Sequence, residues 1–242
     1  MRPGGLLVDF GNTLLREGPV DTVAGVTAVL RHATTPAGHS AQELAQTIVE
    51  LHTDLDPRRR AAQLELPPYI VDRLVYEPRG IRFDLPEEEV EWTYWDAATS
   101  WTVEPGAVEA LRAVARAGIR CGIVSNTAFR GATIARELVR HGFGGLFLWV
   151  LASSELVVRK PHPLIYEVAA RRLGLPGEQI WFFGDSLDND VFGPAAAGMT
   201  PVWYDPGAEA APRNLRSGVR VVTDWAELPK TLDGAGEKGD DA

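Results

Sequence analysis

The chain has 242 residues, which is enough for one large α/β domain or for a core that carries a smaller insert. Its formal net charge of −9 and the lack of a long basic run argue against a nucleic-acid partner, and its single cysteine, Cys121, excludes a disulfide framework and a cysteine-based metal site. Because no leader-like segment and no uninterrupted apolar stretch of about 18 residues is present, we expect no membrane span and a cytoplasmic protein.

The first predicted element is a short buried strand that ends at a carboxylate. Apolar residues 5–8 lead directly to Asp9, and a turn of small residues with Gly11 and Asn12 follows before the chain becomes apolar again. A carboxylate at the end of a buried strand is costly unless another group pairs with it. Ligands of open α/β sheets bind at this end of the strands, so Asp9 is the first candidate for chemistry.

Helices dominate the next stretch, residues 17–102. Prolines and glycines divide it into five predicted helices with no strand between them, at 21–33, 41–55, 57–66, 69–76 and 86–100. An all-helical block that follows the first strand of a parallel sheet is typical of a separate cap. Trp92, Trp95 and Trp101 lie on or beside its last helix, where core packing is the expected role and the lining of a substrate pocket the alternative.

From about Ala107 onward, predicted helices and strands alternate. Helices are expected after Pro105-Gly106, at 132–141, at 163–173, at 190–197 and from residue 224. Strands are expected at 119–125, 146–151, 180–184 and 201–204, with an edge strand at 219–222. This alternation favours right-handed βαβ units and a parallel sheet. The sequence therefore predicts an α/β protein with a Rossmann-like doubly wound parallel sheet core (1–16 and 103–230), an inserted helical cap (17–102) and a disordered polar tail (231–242).

Polar residues follow three later strands, as Asp9 follows the first. Ser125 ends one strand, Lys160 lies in the loop after the next, and an acidic cluster of Asp185, Asp188 and Asp190 follows 180–184. Each has an ordinary structural alternative. Ser125 could cap the next helix, Lys160 could be a surface lysine, and the acidic cluster could provide a cap and favourable charges in the first turn of a helix. Lys160 is one of only three lysines among 24 basic residues, which indicates a position that needs a compact ammonium group. Together, two acids, a hydroxyl and an ammonium at one sheet edge suit a phosphoryl group held with Mg²⁺.

With these residues the chain resembles the haloacid dehalogenase superfamily. The first family motif, Asp-x-Asp-x-Thr, is matched by Asp9-Phe10-Gly11-Asn12-Thr13 except at the second acid, and the second and third motifs by Ser125 and Lys160-Pro161. The fourth, Gly-Asp-Ser-x-x-x-Asp followed by Gly-Ala-x-x-Ala-Gly-Met, closely resembles the run from Gly184 to Met199. The resemblance extends from residue 6 to about 203.

The resemblance implies a role for each matched residue. Asp9 would be the nucleophile that forms a covalent aspartyl intermediate, and Mg²⁺ would be bound by the Asp9 carboxylate, the Gly11 carbonyl and Asp185. Asp190 would be a further metal ligand or a partner of the ligands, and Asp188 would be exposed. Phosphate oxygens would be bound by Ser125, the Asn126 backbone, Lys160 and Asn12. The charge of Lys160 would also neutralise the nucleophile. The implied substrate is a small phosphorylated metabolite, and the oligomeric state is open.

Gly11 departs from the family pattern. In family phosphatases the acid at this position protonates the leaving oxygen and then activates water, and glycine can do neither. Such assistance is typically worth about 10²–10⁴-fold in rate. Asn12 is no acid, and cap residues such as Arg58 or His52 are candidates to replace it.

Two alternative functions therefore stay open. A 2-haloacid dehalogenase would use the same Asp9 without a metal, since halide leaves unprotonated, and a non-catalytic binding protein would merely keep the fold. A metal-free mechanism on a carboxylate substrate has no use for a second carboxylate beside the nucleophile, so Asp185 favours the phosphatase. Retention of Ser125 and Lys160 disfavours the binding protein.

Overall fold

The main sheet positions the site. The computed structural model describes residues 2–34, 38–207 and 219–233. Six parallel strands lie in the spatial order β5 (Val150–Ala152), β4 (Arg120–Ser125), β1 (Gly5–Val8), β6 (Ile180–Gly184), β7 (Thr200–Tyr204) and β8 (Arg220–Val222). The strand order reverses between β1 and β6, which makes the carboxyl ends of these strands the binding crevice of the sheet. The predicted Rossmann-like parallel sheet is confirmed.

A helical insert, residues 18–100, lies between two short strands outside the main sheet. These strands, β2 (Leu15–Glu17) and β3 (Trp101–Val103), pair antiparallel. The insert contains α1 (Thr22–Leu30), α2 (Ala41–Ala62), a π-helical turn at Asp72–Tyr76, a 3₁₀ turn at Glu77–Arg79, and α3 (Glu87–Ala98). It buries its own apolar cluster, whose members include Val26, Leu44, Ile48, Val75 and Val90.

The expectation that residues 17–102 contain no strand is wrong at both ends. Glu17 belongs to β2, and Trp101 and Thr102 belong to β3. Aromatic and β-branched residues favour extended backbone, but a strand of three residues is too short to show an alternating pattern in the sequence. The chain therefore enters and leaves the insert through one two-stranded ribbon.

Helix α2 continues through a proline that was expected to divide it. Pro57 lies inside the helix, which runs from Ala41 to Ala62 and ends where Gln63 adopts a left-handed φ of 54°. Proline removes one backbone hydrogen bond. The helix keeps its capping box at Ser40 and ion pairs next to the proline, including Arg59 to Asp56 at 2.6 Å, and these contacts stabilise both halves.

Helices cover both faces of the sheet. On one face, α4 (Ala107–Arg116), α5 (Gly131–Arg140) and α9 (Leu228–Asp233) pack over Leu6 and Val8, while α7 (Pro163–Leu173) packs over Leu7 and Phe182 on the other. Because successive side chains of a strand point to opposite faces, β1 is buried from both sides. Two short helices, α6 (Ser153–Leu156) and α8 (Gly193–Ala196), complete the core.

The C-terminal segment differs from the prediction where it is described. Residues 231–233, expected to be part of a disordered tail, form the end of α9, and Leu232 is buried in the core. The rest of that predicted tail, 234–242, lies outside the described residues. None of the helices in the described ranges is long and apolar enough to cross a membrane.

Candidate active site

The strand ends bring the sequence-predicted residues together. Asp9 follows β1, Ser125 ends β4, and Asp185 follows β6, three neighbouring strands of the sheet. The predicted site residues line one cavity of about 280 Å³, which we call the polar cavity: Asp9, Gly11, Asn12, Ser125, Asn126, Lys160, Asp185 and Asp190.

Lys160 lies buried between two carboxylates. Its Nζ atom is 2.8 Å from Asp9 Oδ1 and 2.7 Å from Asp190 Oδ1, and the residue is only 2% exposed. Burial disfavours the ammonium charge, but the Asp190 and Asp9 carboxylates outweigh it and raise the pKa of Lys160 above its ordinary value. Lys160 is therefore a fixed positive charge beside Asp9.

Three carboxylates meet beside this lysine. One oxygen each of Asp9, Asp185 and Asp190 lies within 4.8 Å of the others. Burial, and then the negative charge of Asp9, raise the pKa of Asp185 to about 6 against the opposing effect of Lys160. Burial likewise raises the pKa of Asp190. Three acids with one ammonium leave surplus negative charge, and oxygen ligands of this kind suit a hard divalent cation.

A π-helical turn, Leu187–Phe192, places Asp190 and excludes Asp188. Asp190 is fully buried, and its Oδ2 accepts a hydrogen bond of 3.0 Å from the Ser186 backbone N–H. Asp188 is exposed, as expected, and lies outside the group of three acids. This turn begins three residues before the predicted helix at 190–197, because Ser186 caps it by accepting from the Asn189 N–H at 3.4 Å.

Thr13 is a site residue to which the sequence analysis gave no role. Its hydroxyl is fully buried and lies 3.4 Å from Asp9 Oδ2 and 3.2 Å from Asp185 Oδ1. The Thr13 carbonyl accepts a hydrogen bond of 2.9 Å from the indole N–H of Trp225. Thr13 thus orients two of the three acids, and its place as the last residue of the first motif was the available signal.

The Asn126 side chain holds the backbone of Lys160. Its Oδ1 accepts from the Lys160 N–H at 2.7 Å, and its Nδ2 donates to the Lys160 carbonyl at 2.9 Å. The sequence assigned only the Asn126 backbone to the site. Asn12 lies in an exposed turn with a left-handed φ of 55°, and its N–H donates to the Leu15 carbonyl at 2.8 Å.

Glu65, from the segment that follows α2, joins the insert to the loops of the core. Its buried carboxylate binds the Arg59 guanidinium and accepts a hydrogen bond of 2.9 Å from the Ser153 hydroxyl. Ser153 Oγ in turn accepts from the Thr127 N–H at 2.9 Å, and Arg159 lies 3.5 Å from Glu65. The network therefore reaches the loops that carry Asn126 and Lys160. No pattern in the sequence indicates it.

Aromatic side chains lie where the polar cavity meets the insert. The rings of Trp95 and Trp101 stack with centroids 5.3 Å apart, and Phe129 meets Trp95 edge-on at 4.8 Å. Both tryptophans line the polar cavity and also pack against the core. Trp92 instead packs beneath the Arg136 guanidinium, 4.1 Å from its ring centroid.

The insert residues proposed to replace the acid missing at Gly11 lie elsewhere. Arg58 is exposed and pairs with Asp54 at 2.9 Å, and His52 lines a second cavity. The carboxylate near the insert that does line the polar cavity is Glu17, whose pKa is raised by burial. A Cβ atom built on Gly11 would meet nothing within 4 Å, so this position has room for a side chain.

The comparison with protein families identifies the family of this chain. A profile of the haloacid dehalogenase-like hydrolase family matches residues 4–198, and the chain belongs to that family. Among curated relatives, a glyceraldehyde 3-phosphate phosphatase of Methanopyrus kandleri is 34% identical over 114 residues, which cover 46% of this chain and 47% of the relative. The chain spans about half the length of the first curated relatives that it matches.

Solved structures agree on the fold. A 2-haloacid dehalogenase from Pseudomonas syringae superposes with a TM-score of 0.64 at 20% identity, covering 96% of this chain and 99% of that chain. A phosphatase of the same superfamily from Thermococcus onnurineus gives a TM-score of 0.63 at 24% identity, covering 97% and 99%. Because the two similarities are nearly equal, they show a shared fold and do not distinguish the two chemistries.

Proposed function

We propose that the protein is a Mg²⁺-dependent phosphatase that hydrolyses small phosphate monoesters through an aspartyl-phosphate on Asp9. The observation that carries this proposal is the contact of Asp9 with Lys160 at 2.8 Å, in a cavity that also holds Asp185 and Ser125. A nucleophilic carboxylate, an ammonium and a hydroxyl are the groups that phosphoryl transfer needs. The names of curated relatives, glyceraldehyde 3-phosphate phosphatase and phosphoglycolate phosphatase, also support it.

The acid cluster fits the proposed metal. Carboxylate oxygens within 4.8 Å of one another match the ligands that Mg²⁺ prefers, and three acids beside one ammonium leave a surplus of negative charge. Asp9, Asp185 and the Gly11 carbonyl would hold the ion, with Asp190 as a fourth candidate. When bound, Mg²⁺ would neutralise charge on the phosphoryl oxygens.

The chain's own residues suit a two-step transfer. Asp9 would attack phosphorus, so that a bond forms between its carboxylate oxygen and phosphorus while the bond to the substrate oxygen breaks, and that oxygen takes a proton from solvent to leave as the alcohol. Water would then attack phosphorus, release inorganic phosphate and regenerate Asp9. Lys160 and Thr13 fix the orientation of Asp9 by contacting its two oxygens. Ser125, Asn12 and the Asn126 backbone would bind phosphate oxygens.

Residues 17–102 are proposed as the cap of this enzyme, with residues 1–16 and 103–230 as its core. The separate apolar cluster of the insert and the β2–β3 ribbon at its two connections support this division. A cap that covers the polar cavity would exclude water and select substrates. Trp95, a residue of the insert, lines the polar cavity, which supports a cap in this position.

The dehalogenase stays the second candidate because dehalogenases share the fold. Its carboxylate substrate would have to enter beside Asp9, Asp185 and Asp190, three acids opposed by one buried lysine. Like charges in a buried site repel, so the acid cluster disfavours such a substrate.

Asp9→Asn tests the proposal. With an aryl phosphate as substrate, we expect the wild type to release phosphate only with Mg²⁺, EDTA to abolish the release, and Asp9→Asn to lose it. Asp188→Asn, which changes an exposed carboxylate of the same protein, is the matched control and should keep activity. Full activity of Asp9→Asn would contradict the nucleophile. Metal-independent chloride release from a 2-chloroacid would favour the dehalogenase.

A further inference from the structure

A second cavity lies next to the polar cavity, lined mostly by the insert and also by residues 128–130 of the core. It has a volume of about 400 Å³, and we call it the apolar cavity because most of its lining is apolar, including Val29, Ile48, Val71, Tyr76, Val90 and Tyr94. Three residues, Glu17, Trp95 and Phe129, line both cavities. The apolar cavity is therefore adjacent to the place proposed for the phosphate.

The volume of the apolar cavity exceeds what a three-carbon substrate needs. An apolar cavity of about 150 Å³ holds benzene, so about 400 Å³ has room for roughly two rings or an equivalent alkyl chain. A phosphate and a short alcohol would fit in the polar cavity alone, with its volume of about 280 Å³. The additional space becomes useful only for a substrate with a larger organic group.

The charges of the apolar cavity disfavour a second anion. Arg130 lines the cavity, but its guanidinium is engaged by Glu91 at 2.7 Å and by Glu87 at 2.9 Å. Burial lowers the pKa of His52, which favours its neutral form. Asp72 lines the cavity and has no ion-pair partner among the described residues. A substrate carboxylate or second phosphate would meet like charge here without a free cation to bind it.

From these observations we propose that the substrate is a phosphate monoester of a bulky, mostly apolar alcohol that carries no second negative charge. Its organic group would extend past Trp95 and Phe129, which line both cavities, into the apolar cavity. The inference rests on the proposed phosphatase function and adds the class of its substrate. It also makes phosphorylated carboxylic acids poor substrates.

A series of alkyl phosphates tests the inference. Each buried methylene contributes about 0.8 kcal/mol, which is roughly a three- to fourfold gain in kcat/KM, so hexyl phosphate should exceed ethyl phosphate by on the order of 100-fold. A hexyl phosphate with a terminal carboxylate should be hydrolysed at least about tenfold less efficiently than hexyl phosphate. Equal kcat/KM values for ethyl and hexyl phosphate, or a preference for the carboxylated ester, would overturn the inference.

Two threonine variants locate the binding site of the alkyl chain. Thr53 lines the apolar cavity and Thr27 does not, and both are exposed helical residues whose hydroxyls bond to the carbonyl four residues earlier at 2.7 Å. Thr53→Trp should lower the ratio of kcat/KM for hexyl over ethyl phosphate at least about tenfold. Thr27→Trp should leave that ratio unchanged.

The outcomes separate this inference from the proposed function. If ethyl phosphate is hydrolysed but chain length has no effect, or if both tryptophan variants keep the ratio, the substrate class is wrong and the phosphatase stands. If neither the alkyl phosphates nor an aryl phosphate is hydrolysed with Mg²⁺, the proposed function fails and the inference fails with it.

Discussion

At the residue scale, Gly11 is the position at which this chain departs from the first motif of the family's phosphatases. Although the second acid of the motif is absent, the polar cavity still contains Asp9, Lys160 and Asp185. The structure adds that a side chain at Gly11 would meet no neighbour and that its φ lies outside the left-handed region. Steric need therefore does not explain the glycine.

Gly11→Asp should increase the hydrolysis of alkyl phosphates. Alkoxide is a poor leaving group, and a carboxylic acid at this position could protonate it, for a gain of up to about 10²-fold in kcat. An aryl phosphate, whose leaving group needs little protonation, should gain much less. Comparing kcat for the two substrates checks this prediction.

The control for Gly11→Asp is Gly38→Asp, which adds the same side chain at another glycine with open space around it. It should leave both kcat values unchanged. A large loss of activity in Gly11→Asp, with folding intact by circular dichroism, would show instead that the glycine is needed for substrate room.

Strand ends explain why most of the candidate site was predictable. Parallel strands bring their carboxyl ends to one edge, so Asp9, Ser125 and Asp185 could be grouped from the order of elements alone. The scarcity of lysine singled out Lys160, and its burial between two acids fits that reasoning. Contacts that depend on packing, such as the clamp of Asn126 on Lys160, have no such signal.

At the element scale, the connections of the insert were the least predictable part of the fold. Glu65 and Ser153 are 88 residues apart, and their hydrogen bond exists only because the insert packs against the core. The continuity of α2 through Pro57 could not be predicted either. A proline destabilises a helix, and the sequence does not show which contacts compensate for that loss. Local sequence preference cannot report either of these tertiary effects.

Glu65→Gln should weaken the connection between the insert and the loops that carry Asn126 and Lys160. The carboxylate is fully buried and lies against two guanidinium groups. Arg59 keeps Asp56 as a partner, but the replacement leaves the largely buried Arg159 without its charged partner. We expect a loss of about 3 kcal/mol in the free energy of unfolding, measured by urea denaturation, together with a lower kcat. Glu50→Gln, an exposed residue of the same α2 helix, should change neither quantity. Unchanged stability in Glu65→Gln would contradict the role of this contact.

Asp72 should make the stability of the insert pH-dependent. Burial, and then the nearby Glu87 carboxylate, raise its pKa to about 6, whereas an unfolded aspartate titrates near 4. Between these values the folded protein binds more protons than the unfolded chain, so the free energy of unfolding falls as the pH rises and the penalty is complete above about pH 6.

Asp72→Asn removes this titration. It should raise the free energy of unfolding at pH 7 by about 1 kcal/mol, after a discount for solvent screening, and have little effect at pH 4. Urea denaturation at the two pH values measures the difference, with Asp188→Asn as the control. A gain of the same size at pH 4 would contradict the assigned pKa.

At the scale of the whole molecule, the proposed binding of Mg²⁺ to the acid cluster would couple metal binding to folding. A ligand that binds only the folded state stabilises it, by about 2.7 kcal/mol at a concentration one hundred times its Kd. Mg²⁺ should therefore raise the Tm of the wild type and of Asp188→Asn. It should have little effect on Asp185→Asn, which lacks one of the three clustered carboxylates. An equal rise of the Tm in all three proteins would show that the ion binds elsewhere.

The central claim is that Asp9 carries the phosphoryl group during turnover. Residues 1–16 contain one carboxylate side chain, Asp9, and end at the trypsin site Arg16, so a modified Asp9 can be isolated on one peptide. We propose to mix the protein with Mg²⁺ and a radiolabelled phosphate monoester, quench it in acid within one turnover, and digest it. The account predicts a hydroxylamine-labile phosphate on this peptide, absent from Asp9→Asn. Phosphate release without label on this peptide at any time point would contradict it.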